Sequence, residues 1–277
     1  MNKRSLAVPI LASGIIFFLL LGCAPRPAVR YNERGLDYYR RGELDRAVES
    51  YTEAIRLSPD YAEAYYNRGV AYDGLKDFKD AVADFSRAVE LYPEYTDAFR
   101  ARGAVYLDRR RFEAARADAA HVIDLSPRLA DGYVLRGRAL FALERYDEAA
   151  ADLDRAVALS PKDPLPYVAR GDFYAAAGRW DDAIADYTTA ISLDPARPDA
   201  YTKRGTAYEY GLSDFDRALS DYTAAVEVDA EKPDALNCRA NLFRKLGKTR
   251  KALADFERLC DMGFQFGCWQ YDWLKER

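Results

Sequence analysis

Between residues 28 and 266 the apolar and polar positions repeat with a period of 34. Each period opens on a large apolar residue, aromatic in the first six: Tyr31, Tyr65, Phe99, Tyr133, Tyr167 and Tyr201, then Leu236. Four residues later stands a glycine, at Gly35, Gly69, Gly103, Gly137, Gly171 and Gly205, with Ala240 last. Three further on comes a second large residue: Tyr38, Tyr72, Tyr106, Leu140, Tyr174, Tyr208 and Phe243. Steps of four and three place these positions on one face of a helix. A second set with the same steps, such as Ala81, Phe85 and Ala88, predicts a second helix in each period. Pro59, Pro93, Pro127, Pro161 and Pro195 close that second helix. The pattern gives seven two-helix units: 28–61, 62–95, 96–129, 130–163, 164–197, 198–232 and 233–266, followed by a capping helix at 267–277. The sixth unit is one residue longer, and the extra residue is expected in the turn around Gly211–Phe215. A gapless repeat of this kind predicts a solenoid and not a compact catalytic domain.

These recurring positions resemble the tetratricopeptide repeat family over about 240 residues of the chain. The resemblance implies an all-α fold, a right-handed superhelical α-solenoid of helix–turn–helix repeats. It departs from the family pattern at Ala119 and Val122 in the third unit, and at Ala240 and the missing proline of the seventh. The seventh position of every unit is Arg (Arg34, Arg68, Arg102, Arg136, Arg170, Arg204 and Arg239), where the family pattern has an apolar residue. The second helix carries Asp84, Asp118, Asp152, Asp186, Asp221 and Asp255 at a fixed place. Identical spacing in each unit predicts internal pairing. A recognition stripe would vary along the array.

Positions 5, 9 and 12 of the first helices do vary, while the core positions do not. These line the concave face that the resemblance implies. Tyr66, Arg100, Arg138 and Phe141 fall there and are the candidate protein-binding groove, since aromatic and Arg side chains are the usual anchors of interfaces. Glu63, Asp97, Asp131, Asp199 and Asp234 recur in the first helical turn, where carboxylates offset the helix dipole. Of the clamp by which some family members hold chaperone C-termini, only Asn67 is in place.

The first residues follow another pattern. Lys3 and Arg4 precede an apolar run from Leu6 to Leu21, the layout of a secretory signal. Leu20-Leu21-Gly22-Cys23 resembles the lipobox of bacterial lipoproteins. That resemblance implies removal of residues 1–22, acylation of Cys23, and a short tether over 23–27. The alternative is an uncleaved anchor, but the run contains Pro9 and falls short of the ~20 residues a span needs. Ala24 in place of Asp implies the outer membrane, facing the periplasm. The formal charge of −4 becomes −6 on loss of Lys3 and Arg4. An acidic chain without a basic tract excludes nucleic acid as a partner class.

The stretch from Leu259 to Cys268 looks like cysteine-rich Sel1-like repeats. It implies a disulfide between Cys260 and Cys268, the alternative being two buried thiols. Cys238 is left over as a small buried residue. No catalytic constellation, cofactor fingerprint or metal-ligand cluster is expected, and the lone His121 reads as structural. The expected function is a non-enzymatic scaffold, anchored to the membrane by lipid, that binds envelope proteins or peptide segments. It would serve as an adaptor for hydrolases or proteases, or as a pilotin for a secretin or pilus. The rival of another class is a carbohydrate binder or enzyme that uses the groove.

The lipobox yields a direct prediction. Cys23→Ser is expected to accumulate as the precursor and to take up no labelled palmitate. Normal maturation and labelling of that variant would refute acylation at Cys23.

Overall fold

The computed structural model describes residues 26–276. The signal segment and Cys23 lie outside the described residues. Within them the chain is helical throughout, with no strand. Six helical hairpins pair α1 (Arg26–Arg40) with α2 (Leu44–Leu57), α3 (Ala62–Gly74) with α4 (Phe78–Leu91), α5 (Thr96–Asp108) with α6 (Phe112–Leu125), α7 (Ala130–Ala142) with α8 (Tyr146–Leu159), α9 (Pro164–Ala176) with α10 (Trp180–Leu193), and α11 (Pro198–Thr206) with α12 (Phe215–Val228). A seventh pairs α13 (Pro233–Lys245) with α14 (Thr249–Asp261), and α15 (Gln265–Lys275) closes the chain. This is an all-α solenoid fold of helix–turn–helix repeats. The chain divides between Ala98 and Phe99 into two compact units.

Two boundaries differ from the sequence reading. Arg26 and Pro27, expected in a tether, belong to α1; proline is compatible with a first helical turn, where its missing N–H has no partner to lose. The capping helix α15 starts at Gln265, two residues earlier than expected.

Five hairpins close on the glycine of the first helix. A Cβ on Gly171 would lie 2.6 Å from Cε1 of Tyr187, and one on Gly137 would lie 2.9 Å from Cγ of Leu153. The side chain of the second helix therefore fills the space that a larger residue would need. Tyr51, Phe85, Leu153, Tyr187, Tyr222 and Phe256 hold this place and are all buried. The third repeat has Ala119 instead, and Leu135 of the next repeat covers Gly103. The second helices end on an extended residue, Ser58, Tyr92, Ser126, Ser160 and Asp194, each just before a proline. Proline disfavours helical backbone in the residue before it, which explains that cap.

The extra residue of the sixth repeat is not in the turn after Gly211. It is absorbed in a π-helical turn, Ala207–Gly211, that continues α11. Widening one helical turn lets the chain take an added residue while the flanking helices keep their packing. Gly211 sits directly against the Trp180 ring, so the turn has no room there for a side chain.

The recurrent arginine pairs internally. In six repeats its Nε and Nη2 donate to the two carboxylate oxygens of the recurrent Asp, at 2.7–2.9 Å: Arg68–Asp84, Arg102–Asp118, Arg136–Asp152, Arg170–Asp186, Arg204–Asp221 and Arg239–Asp255. In the second, third and fifth repeats the guanidinium also lies between two rings of its own helix. Arg170 is 5.9 Å from the Tyr167 ring and 5.7 Å from that of Tyr174. Its Nη1 reaches back to Asp154 of the preceding repeat at 2.7 Å, as Arg204 does to Thr188 at 3.0 Å. Each arginine thus joins two helices of its own repeat, and these two also hold the repeat before.

Removing one partner of a buried pair leaves an uncompensated charge, at a cost of about 3–5 kcal/mol. Asp186→Ala is expected to lose about 3 kcal/mol in urea unfolding. The double variant Arg170→Met/Asp186→Leu is expected to lose less than either single change. Additive losses would show that the two side chains are not coupled.

A groove on the first helices of the second unit

The first helices of the second unit present one continuous face. Arg100 and Ala104 of α5, Asp131, Val134 and Arg138 of α7, Val168 and Asp172 of α9, and Lys203 of α11 line a groove of about 360 Å³. Its floor is apolar and its walls carry charges of both signs. Arg100 faces Asp131 at 3.5 Å. Lys203 holds both oxygens of Asp172, at 2.8 and 2.9 Å, and the Tyr187 hydroxyl donates to the same carboxylate at 2.8 Å. Burial, then the Asp172 charge, push the Tyr187 hydroxyl well above the usual phenol range. Arg138 is exposed and makes no hydrogen bond or ion pair among the described residues.

Beside this groove lies a pocket of about 210 Å³, lined by Leu107, Phe112, Phe141, Leu153 and Phe173 and by Asp108. Arg138, Asp172 and Ala169 belong to both. A cation without a partner therefore stands between an aromatic pocket and a charged channel. This arrangement can hold a chain segment that offers an apolar side chain to one and an acid to the other. It offers no acid–base pair poised on a bond.

The four groove candidates are placed unequally. Arg100 and Arg138 line the groove, and Phe141 lines the pocket. Tyr66 belongs to the first unit, where its ring packs 5.1 Å from Tyr95 and 5.9 Å from the buried Phe85. Phe141 in turn lies 5.8 Å from Phe173 and 5.6 Å from Tyr146. The expectation that these four are free of the core is corrected for both aromatic residues. A large ring beside a close helix pair has no way to avoid its neighbours. Asn67, the one residue of the chaperone clamp, donates at 3.0 Å to the buried Asn32. The first-turn acids are engaged locally too, Glu63 with Asn32 at 3.2 Å and Asp199 with Arg197 at 3.7 Å.

Phe112, Leu153 and Phe173 were not among the sequence candidates. Their signal was present in the repeat. Phe112 belongs to a recurring large residue at the start of the second helix, with Leu44, Phe78, Tyr146, Trp180 and Phe215. Phe173 stands where the neighbouring repeats have Ala139 and Ala207. The exposed His121 stacks on Phe99, with ring centroids 4.8 Å apart. Cys260 and Cys268 form a disulfide between α14 and α15, with Cα atoms 4.5 Å apart. Cys238 is unbonded, and burial followed by the Glu209 charge pushes its thiol up to about 11.

Comparison with family models matches tetratricopeptide repeat models at residues 35–76, 62–95, 137–178, 171–210 and 208–263. The chain belongs to the tetratricopeptide repeat family. Among solved structures, a tetratricopeptide repeat protein from Parabacteroides merdae is similar at 18% identity, with a TM-score of 0.70 over 91% of this chain and 97% of that one. Yeast Tom70 gives 16% identity and a TM-score of 0.72 over 90% of this chain, which spans about half of Tom70 (53%). TTC0263, a tetratricopeptide repeat protein of Thermus thermophilus, gives 22% and 0.61 over 66% of this chain and 98% of that one. At these identities the likeness concerns the fold. No curated protein matches the chain. The matched families are repeat families, not catalytic ones, and tetratricopeptide repeats serve as scaffolds that bind peptide or protein partners.

The two kinds of groove residue separate by stability. Phe141→Ala removes a half-buried ring and is expected to cost about 1–3 kcal/mol. Arg138→Ala is expected to stay within about 0.5 kcal/mol of the parent chain. Urea unfolding followed by circular dichroism measures both. Equal losses would mean that Arg138 is also part of the packing.

Proposed function

We propose that the protein is a non-enzymatic scaffold, tethered by lipid at Cys23 to the periplasmic face of the outer membrane, and that the groove of its second unit holds a segment of another envelope protein. The lipobox supports the tether, and the fold family supports a protein or peptide partner. The observation that carries the groove is Arg138, an unpaired cation shared by the charged channel and the aromatic pocket. A partner segment with an apolar side chain next to an acidic one would satisfy both. The adaptor and pilotin readings share this groove and differ in the partner it holds.

Arg138→Glu reverses that cation at an exposed site, where it leaves the fold intact. Crosslinking in intact envelopes, followed by recovery of the protein, is expected to lose its major partner in this variant while the circular dichroism is unchanged. Loss of a desolvated interfacial charge costs at least about 2 kcal/mol, or some thirtyfold in affinity. Full recovery of the partner by Arg138→Glu would move the binding surface away from this groove.

A further inference from the structure

The first repeat departs from the charge pattern of all the others. Its recurrent arginine, Arg34, faces Ser50 where six repeats have Asp, and its Nε donates to the Ser50 hydroxyl at 3.2 Å. The guanidinium lies 4.5 Å over the Tyr31 ring but has no carboxylate. The first turn of α1 contains no acid, whereas α3, α5, α7, α11 and α13 each carry one there. Basic residues stand in that stretch instead. Arg26, Arg30 and Arg34 follow at intervals of four, on one helix face, and with Pro27 and Tyr31 they line a cavity of about 450 Å³.

Neither Arg26 nor Arg30 has an ion-pair partner among the described residues. The acids of α1 do not supply one: Asp37 is bound to Arg40 at 3.0 Å, and Glu33 makes no ion pair among the described residues. In later repeats the arginine also reaches the second helix of the repeat before, as Arg68 does to Thr52 at 3.0 Å. For Arg34 no such helix precedes α1 among the described residues. Three guanidinium groups and the positive end of a helix therefore converge on one open cavity, in a chain whose net charge is −4.

We propose that this cavity is an anion site that takes the phosphodiester headgroup of an anionic membrane lipid. Arginine recognises phosphate oxygens by paired N–H donors, and three residues along one helix face suit a headgroup approached from the side. The choice of a lipid over a free anion rests on the lipid-tether reading: Cys23 precedes Arg26 by three residues, so acylation there holds α1 at the headgroup layer. The site orients the first repeat on the membrane. Acyl chains alone would anchor without orienting.

The test uses the full chain carrying Cys23→Ser, so that its outcome does not depend on acylation, which palmitate labelling tests separately. The protein is held in uncharged maltoside micelles and titrated calorimetrically with micelles doped with phosphatidylglycerol or phosphatidylcholine, and with inorganic phosphate. Binding is expected for phosphatidylglycerol alone, weakened by raised salt. Arg26→Gln/Arg30→Gln is expected to lower the affinity roughly 25-fold, about fivefold per arginine. Arg155→Gln/Arg250→Gln makes the same change in net charge elsewhere and is expected to leave it unaltered. Equal binding of phosphatidylcholine, or an unchanged affinity in the Arg26/Arg30 variant, would overturn the site. Inorganic phosphate binding as tightly as the doped micelles would overturn its assignment to lipid.

Discussion

The structure depends on one interaction repeated along the chain: an arginine of the first helix, lying against one or two rings of its own helix and bonded through both arms to an aspartate of the second. A guanidinium suits this place because it is planar enough to lie against rings and still presents a two-pronged donor edge to a carboxylate. The aspartates are largely buried, Asp84, Asp118 and Asp255 at 4–5% exposure, so each charge depends on its partner. The same arginine's third nitrogen reaches the previous repeat at Thr52, Asp154 and Thr188, which adds a polar link between neighbouring hairpins.

That division of labour frees the other face of the first helices. The core is satisfied by the glycine, the rings and the Arg–Asp pair, so positions 5, 9 and 12 carry no common structural duty. In the second unit they hold Arg100, Val134, Arg138, Val168 and Asp172, with Lys203 beside them, a mixed surface and not a repeated one. Most of its charges are matched locally. Arg138 is not, and it lies where the polar channel meets the Phe112, Phe141 and Phe173 pocket. Specific binding is expected where matched charges give way to an unmatched one, because a partner gains most by supplying the missing group.

The first and last described helices depart from the repeat pattern. At the N-terminal end the aspartate is replaced by Ser50 and the first-turn acid is missing, which leaves α1 cationic. At α15 the Cys260–Cys268 disulfide ties the helix to α14, and Gly267 lets it lie directly on Leu259.

The sequence by itself determined the period, the number of hairpins, the helix faces and the Arg–Asp partnership. Each of these follows from residue spacing, and spacing repeated seven times averages out local exceptions. It also marked the variable face, because variation between repeats is visible in one chain. What only the tertiary structure decided concerns contacts between residues far apart in sequence. Spacing showed an extra residue in the sixth repeat, but not that a π-helical turn absorbs it under Trp180. It put Tyr66 and Phe141 on the groove side, but not their packing against Phe85 and Phe173. It counted the charges along the groove, but Arg138 emerged as the unpaired one only once Asp172 was seen bound to Lys203, 31 residues away. Periodicity specifies the direction in which a side chain leaves its helix; its neighbours depend on how the hairpins stack, and stacking is a sum over the whole array.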